Sequence, residues 1–165
     1  MSSESGKKSV LFVCLGNICR SPIAEAVFKD VLRKRGIEDQ WTVDSSAIIG
    51  YHTGKGPDRR AMSTLKSHGI TDYLHKARVT TPDDFRKFDF IFGMDQSNMS
   101  DLKDIKRHAG GSSTATLQAL GQFDPQKPGA EVPDPYYESG DAMFHQVLEQ
   151  CRRCCENFLD KLEKE

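Results

Sequence analysis

The segment at residues 13–22 reads Val-Cys-Leu-Gly-Asn-Ile-Cys-Arg-Ser-Pro and contains three side chains that could share one reaction. Cys14 offers a sulfur nucleophile, and Arg20 carries a planar fork of N–H donors that can clamp two oxygens of a phosphate group. Ser21 can donate a hydrogen bond to the sulfur and stabilise it as a leaving group. A cysteine, five intervening residues, an arginine and a serine therefore describe a nucleophile inside a phosphate-sized anion site.

The residues around this loop predict that it joins a buried strand to a helix. Residues 9–14 form an apolar run, as expected of a central parallel strand that is covered on both faces. Ser21 and Pro22 supply an N-cap and a first-turn proline. Backbone N–H groups at such a turn point beyond the strand end, where they favour an anion and a thiolate. Gly16 lets the backbone approach a ligand, and Asn17 tolerates a left-handed conformation.

Two other interpretations of this loop compete with the anion site. Cys14 could be a small buried side chain at the end of a strand, with Arg20 on the surface nearby. The Gly-Asn pair inside the loop, the Ser-Pro after it and the strand–helix context favour the anion site. A nucleotide-binding loop of the Walker type is excluded, because no Gly-Lys-Ser or Gly-Lys-Thr follows Gly16.

The rest of the chain alternates short β-like runs with helical patterns, which is typical of βαβ units around a parallel sheet. Further strands are expected at residues 41–47, 76–79, 88–94 and 116–120. Helices are expected at residues 57–68, 82–86 and 95–108, and an apolar stripe predicts one at 144–162. Residues 121–140 contain four prolines and no periodicity, which predicts a long loop that is either functional or disordered.

The composition excludes several kinds of partner. Of the 165 residues, 37% are hydrophobic, which is enough for one packed core. The 23 Lys and Arg residues are balanced by 24 Asp and Glu residues, so the protein has no overall positive field that would attract nucleic acid or an anionic membrane. The longest apolar run, residues 10–15, is far shorter than the roughly 20 residues that span a bilayer. No secretory signal is recognisable near the N-terminus.

From these features we expect a single domain over residues 1–165, with residues 1–7 as a flexible tail. The five cysteines are odd in number and clustered, which indicates reduced thiols rather than a disulfide framework. A cytoplasmic protein that neither binds nucleic acid nor inserts into a membrane is therefore predicted.

Two motifs together, the segment at 13–22 and Val-Pro-Asp-Pro-Tyr-Tyr at 132–137, resemble the low-molecular-weight protein tyrosine phosphatase family. The resemblance extends over about residues 8–162 and implies an α/β three-layer sandwich, with a four-stranded parallel sheet flanked by helices on both faces. It also implies hydrolysis of phosphotyrosine in proteins and of small aryl phosphates through a cysteinyl-phosphate intermediate, without a metal or cofactor. Cys14 would be the nucleophile, Arg20 the phosphate clamp and Asp134 the general acid.

Residue type and position alone leave several candidates for the general acid. Asp134 lies between two prolines that restrict its backbone, which could aim a short side chain across a pocket. Asp124, Asp141 and Asp95 are rivals, and Asp134 could be an ordinary turn residue. The resemblance of the Asp-Pro-Tyr-Tyr segment selects Asp134.

The resemblance implies further roles. Asn17 would be held by hydrogen bonds to Ser21, Ser45 and His68, while His75 is expected to be a surface or otherwise satisfied histidine. Asp95 would pair with Arg20 or the loop, although capping the following helix is an equal alternative. The other residues of the phosphate-binding loop are Leu15, Gly16, Asn17, Ile18 and Cys19, and the residues that would line the substrate pocket are Tyr51, His52, Tyr136 and Tyr137.

The resemblance also bears on specificity and regulation. Ile18 indicates a tyrosine-directed enzyme, since related arginine phosphatases carry a threonine at that position. His52 is a less usual occupant of its position and leaves the leaving-group preference open. Cys19 would protect Cys14 from irreversible oxidation through a loop disulfide, or else would be an ordinary buried thiol. Tyr136 and Tyr137 would be targets of tyrosine kinases, or else two surface tyrosines, and the protein would be a monomer or self-associate weakly.

Two rival functions remain at this stage. Thiol-dependent arsenate reductases use a similar loop but need two relay cysteines in the middle to late chain, and none lies between Cys19 and Cys151. A non-catalytic phosphotyrosine-binding module would be expected to lose Cys14, Arg20 or Asp134, and all three are present. The cysteines near the C-terminus, at 151, 154 and 155, are expected to lie on the face of the last helix that packs into the protein core.

Overall fold

The computed structural model describes residues 6–165. The expected N-terminal tail falls mainly on residues 1–5, which lie outside the described residues, while Gly6 and Lys7 precede the first strand without regular structure. Within residues 6–165, four parallel strands form one sheet in the order β2-β1-β3-β4. Their bounds are β1 Lys8–Cys14, β2 Trp41–Ala47, β3 Phe90–Gly93 and β4 Thr116–Ala119.

In the part of the chain that the structure describes, five α-helices cover this sheet. Their bounds are α1 Arg20–Lys34, α2 Arg59–Ser67, α3 Asp84–Lys87, α4 Gln96–Ala109 and α5 Ala142–Glu163. The described residues also contain three short 3₁₀ turns, at Glu38–Gln40, Gly110–Ser112 and Leu120–Phe123. Within residues 6–165, no helix has both the length and the apolar character needed to span a bilayer.

The alternation of side chains along β1 divides the core into two layers. Val10 and Phe12 point to the face covered by α1 and α5, where Phe28 packs edge-on against Phe12 with ring centroids 5.6 Å apart. Leu11 and Val13 point to the opposite face, which is covered by α3 and α4. Because β1 is buried on both faces, its sequence is a nearly continuous apolar run. The three-layer α/β sandwich with a four-stranded parallel sheet is confirmed.

Two local expectations need correction. Residues 76–79 do not form a strand of the sheet; they are extended and contribute one bridge, between Val79 and Ala47. Ser21 does not cap α1, because the helix begins at Arg20 with Cys19 in the N-cap position. The Ser21 side chain lies instead beneath the preceding loop, where it contacts the Cys14 sulfur.

The long loop after β4 is anchored rather than free. Gly121 allows one anchor, since a Cβ there would overlap the carbonyl oxygen of Ala130 at 1.7 Å. Val132 is fully buried, and its N–H donates to Met94 O, just beyond the end of β3, at 2.9 Å. The Gln150 side chain of α5 donates to the carbonyl of Glu131 at 3.2 Å. The loop is therefore fixed against the sheet just before Asp134.

Candidate active site

The Cys14 sulfur lies at the carboxyl end of β1 inside a ring of donors. The N–H groups of Asn17 and Ser21 point at Sγ from 3.3 and 3.4 Å, and the Ser21 hydroxyl lies 3.0 Å away. The first backbone hydrogen bond of the helical ladder runs from Ile23 N–H to Cys19 O, at 3.2 Å. Earlier N–H groups therefore lie outside that ladder, at the positive end of the helix dipole. The environment suits a thiolate beside a bound anion.

Asn17 gives the loop its shape. Its φ of 60° is the one positive value among the non-glycine residues from 6 to 165, and its side chain is fully buried. The side-chain amide donates to Ser21 Oγ at 2.8 Å and Ser45 Oγ at 3.0 Å. Its oxygen lies 2.8 Å from His75 Nε2 and accepts from the N–H of Arg78 at 3.2 Å. These bonds offset the cost of a left-handed residue.

The expectation that His68 supports the loop is wrong; His75 occupies that place. The ring of His68, at the end of α2, lies against His145 of α5, with Nε2 and Nδ1 3.0 Å apart. His75 lies on the extended segment beside β2 and reaches both Asn17 and Ser45 Oγ, the latter at 3.2 Å. The physical reason is the path of the chain, because residues 69–79 return across the end of β2 and pass beneath the loop, whereas α2 faces α5.

A polar cluster lies behind His75. Glu25, Asp44 and His75 bring ligand-type atoms within 4.8 Å of one another. Hydrogen bonds already occupy these atoms: Glu25 accepts from Tyr73 at 2.6 Å and Ser45 at 2.7 Å. Asp44 accepts from the Arg78 side chain at 3.1 Å. These contacts make the cluster a hydrogen-bonded support for the loop and leave it a poor metal site.

Arg20 is buried, and its guanidinium lies between two carboxylates. Nη1 donates to Asp95 Oδ2 at 2.6 Å and to the carbonyl of Val132 at 3.1 Å, while Nη2 lies 3.7 Å from Asp134 Oδ2. Burial alone would lower the pKa of Arg20, but Cys14, Asp95 and Asp134 together raise it, so the cation is retained. Asp95 fills both roles suggested for it, since its Oδ1 also accepts from Asn98 N–H at the start of α4.

Asp134 faces the same pocket from the opposite side. The N–H of Tyr136 donates to Asp134 Oδ1 at 3.1 Å, which fixes the carboxylate against its own backbone as an Asx turn. The other oxygen, Oδ2, faces Arg20. The prolines on both sides limit the backbone further. Nearly a third of the Asp134 side chain remains exposed, so a substrate atom can reach it.

The pocket between the phosphate loop and Asp134 has a volume of about 350 Å³. The His52 imidazole lies near the rings of Tyr51 and Tyr136, with centroid separations of 4.8 and 6.1 Å. Tyr51 and Tyr137 are strongly exposed, at 77% and 81%. The lining residues are Cys14, Leu15, Gly16, Ile18, Cys19, Arg20, Ile49, Tyr51, His52, Asp134, Tyr136 and Tyr137.

The comparisons with known proteins agree on one family. The family described as low molecular weight phosphotyrosine protein phosphatase matches residues 9–165. The chain belongs to this family. A Sus scrofa relative named low molecular weight phosphotyrosine protein phosphatase is 48% identical over 160 residues, covering 97% of this chain and 99% of that protein.

Solved structures agree with this membership. The protein tyrosine phosphatase from Entamoeba histolytica is 37% identical, covers 96% of this chain and 98% of its own, and gives a TM-score of 0.87. A Drosophila arginine phosphatase is also 37% identical, with coverages of 93% and 97% and the same TM-score of 0.87. The chain is thus an enzyme of the low-molecular-weight phosphatase class, and the fold alone does not choose between these two named activities.

Within this family site, Cys19 differs from Cys14 although the two share a loop. Burial raises the pKa of the Cys19 thiol well above its usual range, and the neighbouring Asp58 and Cys14 raise it further. Cys19 is therefore a neutral thiol at physiological pH, whereas the Cys14 sulfur differs from it in accepting hydrogen bonds from two backbone N–H groups. All five cysteines are free and buried, including the three on α5.

Several residues of the phosphatase site carry no motif that sequence reasoning could detect. Ile49 lines the pocket just after β2, and only its place beyond a strand end could have indicated it. Glu25 and Tyr73 support the loop through Ser45 and each other, with no fixed spacing between them. Arg60 was also missed, because its partners near Asp134 are backbone carbonyls.

Proposed function

We propose that this chain hydrolyses phosphotyrosine in proteins, and small aryl phosphates, with Cys14 as nucleophile, Arg20 as phosphate clamp and Asp134 as general acid. One arrangement carries the proposal: a sulfur that accepts two backbone N–H groups faces a pocket that also receives a buried guanidinium and an accessible carboxylate. Nucleophile, anion site and proton donor are thus within reach of one phosphate ester.

In the first step the Cys14 thiolate attacks phosphorus, and the bond from phosphorus to the tyrosine oxygen breaks. Charge spreads over the phosphoryl oxygens, which the loop N–H groups and Arg20 stabilise as hydrogen-bond donors that the fold has already oriented. Asp134, protonated, gives its proton to the departing phenol oxygen. The products are the free tyrosine side chain and a phosphocysteine, with Asp134 left as the carboxylate.

In the second step Asp134 accepts a proton from a water molecule that attacks the phosphocysteine. The phosphorus–sulfur bond breaks, inorganic phosphate leaves, and the thiolate and the protonated Asp134 are regenerated. The hydrogen bond from the Ser21 hydroxyl, 3.0 Å from the sulfur, stabilises the thiolate as it departs. This chemistry uses a sulfur nucleophile and requires neither a metal nor a cofactor.

The walls of the pocket support an aromatic substrate. Tyr51 and Tyr136 present ring faces and edges to a phenyl group, which favours phosphotyrosine over the short aliphatic phosphoserine. Ile18 places a branched apolar side chain beside the phosphate site, where a phosphoramidate would need a polar partner. These contacts favour phosphotyrosine over phosphoarginine.

The finer properties of the protein belong to the same proposal. It acts in the cytoplasm as a monomer that self-associates weakly at most, and its partners are phosphotyrosine proteins. Tyrosine kinases modify Tyr136 and Tyr137, whose exposure gives them access. On oxidation Cys14 and Cys19 form a disulfide that is later reduced, which protects the nucleophile. Ser45, His75 and Asp95 hold the loop and Arg20 in place.

One experiment tests the central assignment. Turnover of matched phosphotyrosine, phosphoserine and phosphoarginine peptides is compared for the wild type and Cys14→Ser, with and without a chelator. We expect turnover of the phosphotyrosine peptide, none in Cys14→Ser, retained binding of inorganic phosphate by that variant, and no effect of the chelator. Preferred turnover of phosphoarginine would overturn the substrate assignment, and turnover by Cys14→Ser would overturn the nucleophile.

A further inference from the structure

The guanidinium of Arg60, in the first turn of α2, connects this helix to the loop that follows Asp134. Nη1 donates to the carbonyl of Glu138 at 2.7 Å, and Nη2 donates to the carbonyl of Tyr136 at 2.9 Å. The guanidinium carbon lies 4.6 Å from the ring centroid of Phe144 in α5, so the guanidinium also packs on this ring. Arg60 therefore contacts the loop at two carbonyls two residues apart.

Tyr136 links Arg60 to the Asp134 carboxylate. Its carbonyl accepts from Arg60, while its N–H donates to Asp134 Oδ1 at 3.1 Å. A change in the position of the Tyr136 peptide therefore moves the donor that orients Asp134. The carboxylate is only two residues from the carbonyl that Arg60 holds.

The same arginine is tied to the phosphate loop. Asp58, the N-cap of α2, accepts from Arg60 Nε at 3.1 Å and from Arg60 N at 2.8 Å. The backbone N–H of Asp58 donates to the carbonyl of Ile18 at 2.8 Å. A chain of hydrogen bonds thus runs from Ile18 of the phosphate loop through Asp58 and Arg60 to Tyr136.

The loop has a separate anchor before Asp134. Val132 is bonded through its N–H to Met94 and through its carbonyl to Arg20. Asp134 therefore lies between two fixed points, the buried Val132 on one side and the carbonyls held by Arg60 on the other. If the hydrogen bonds from Arg60 are lost, Val132 still anchors the loop, but the Asp134 carboxylate is no longer held in one orientation toward the pocket.

We propose that Arg60 is a positioning residue for proton transfer: its two hydrogen bonds to the carbonyls of Tyr136 and Glu138 hold Asp134 at the leaving-group side of the pocket. The inference rests on the proposed function, because it presumes that Asp134 is the proton donor. An arginine is required because one planar group must serve two carbonyls and a carboxylate at once. A lysine ammonium lacks that fork.

The kinetic consequence depends on the leaving group. Phenyl phosphate releases a basic phenolate and needs the proton, whereas dinitrophenyl phosphate releases a stable anion and does not. A misplacement of the carboxylate by about 1 Å can cost up to 10²-fold in rate. We expect Arg60→Ala to lower kcat/KM for phenyl phosphate by about 10- to 100-fold, and for dinitrophenyl phosphate by less than about threefold. Inhibition by inorganic phosphate should change little, because the loop around Cys14 keeps its own hydrogen bonds.

The test compares kcat/KM on both esters for the wild type, Arg60→Ala, Arg60→Lys, Arg59→Ala and Asp134→Ala. Arg59 is the matched control, since it is exposed, has the same charge and lies in the same helical turn. We expect Arg59→Ala to behave as the wild type and Arg60→Lys to recover only part of the loss. If Arg60→Ala does not fold, Arg60→Gln, which keeps a planar amide near Phe144, replaces it.

The outcomes separate this inference from the proposed function. A selective loss in both Asp134→Ala and Arg60→Ala supports it. A selective loss in Asp134→Ala with equal losses, or no loss, on the two esters in Arg60→Ala overturns the role of Arg60 and leaves the proposed acid intact. Equal losses on the two esters in Asp134→Ala overturn the proposed acid and this inference with it.

Discussion

Replacing His75 by alanine tests whether the hydrogen-bond network under the phosphate loop sets catalytic efficiency. The substitution removes a ring that lies 2.8 Å from Asn17 Oδ1 and 3.2 Å from Ser45 Oγ, and that is 8% exposed. Each buried hydrogen bond contributes about 1 kcal/mol net. Both contacts use the same ring atom, Nε2, so its single N–H is shared between the two oxygens and the pair counts as one hydrogen bond, which holds Asn17 in its left-handed conformation.

The expected effect follows from the loss of that one bond. If the active conformation of the loop bears the full loss, at the upper end of about 1.5 kcal/mol, kcat/KM falls by at most about tenfold, because about 1.4 kcal/mol corresponds to tenfold. The true decrease should be smaller, since Asn17 Oδ1 keeps the N–H of Arg78 at 3.2 Å. The melting temperature should fall by several degrees, at roughly 2–4 °C per kcal/mol for a domain of this size.

The assay measures kcat/KM on an aryl phosphate, the inhibition constant of inorganic phosphate and the melting temperature. His68→Ala is the control, because that ring contacts His145 and not the loop. It should lose stability and keep kcat/KM within about twofold, as expected for one lost hydrogen bond outside the site. His75→Gln, which keeps a donor and an acceptor, should recover part of the activity. Equal losses of kcat/KM in the two alanine variants would refute the reasoning.

Two further predictions concern Asp134 and acid stability. Asp134→Ala should slow hydrolysis of phenyl phosphate by about 10²–10⁴-fold, which steady-state kinetics on esters of graded leaving ability would measure; a uniform loss would argue against proton donation. Burial alone would raise the pKa of Asp124, but the Arg153 guanidinium and two backbone N–H groups hold that pKa below its usual range. Its contribution is therefore complete above the unfolded pKa of about 3.9 and is lost as pH falls through the lower folded value. Melting temperatures between about pH 6 and 2 should fall less steeply in Asp124→Asn than in the wild type, and parallel curves would contradict this.

The central part of the site could be predicted from the sequence because its geometry is local. Cys14, Asn17, Arg20 and Ser21 lie within one strand–loop–helix turn, where residue type and spacing almost determine what faces the sulfur. The strand before the loop can be recognised by its apolar run, since β1 is buried on both faces. Such patterns depend on neighbours along the chain and need no knowledge of its path.

Other contacts could not be predicted because they depend on where distant segments pass. His68 and His75 are seven positions apart, and nothing in either residue indicates which one lies under the loop. The choice follows from the turn after α2, which carries the chain back across β2. Arg60 is harder still, because it reaches Tyr136 and Glu138 through their carbonyls, and a carbonyl partner leaves no signature in residue type.

The proposal of Cys14 as the nucleophile, out of five cysteines, likewise depends on the environment of each sulfur. Burial, together with the nearby Asp124, raises the pKa of Cys154 to about 12, and burial also raises the pKa of the Cys151 and Cys155 thiols on the same helix. Those sulfurs are enclosed by core side chains, so an anion there would be poorly solvated. Cys14 is just as buried, but backbone N–H groups and a hydroxyl surround its sulfur in place of water. Burial therefore makes a cysteine of this protein a poor nucleophile, unless a loop supplies the hydrogen-bond donors that solvent would otherwise provide.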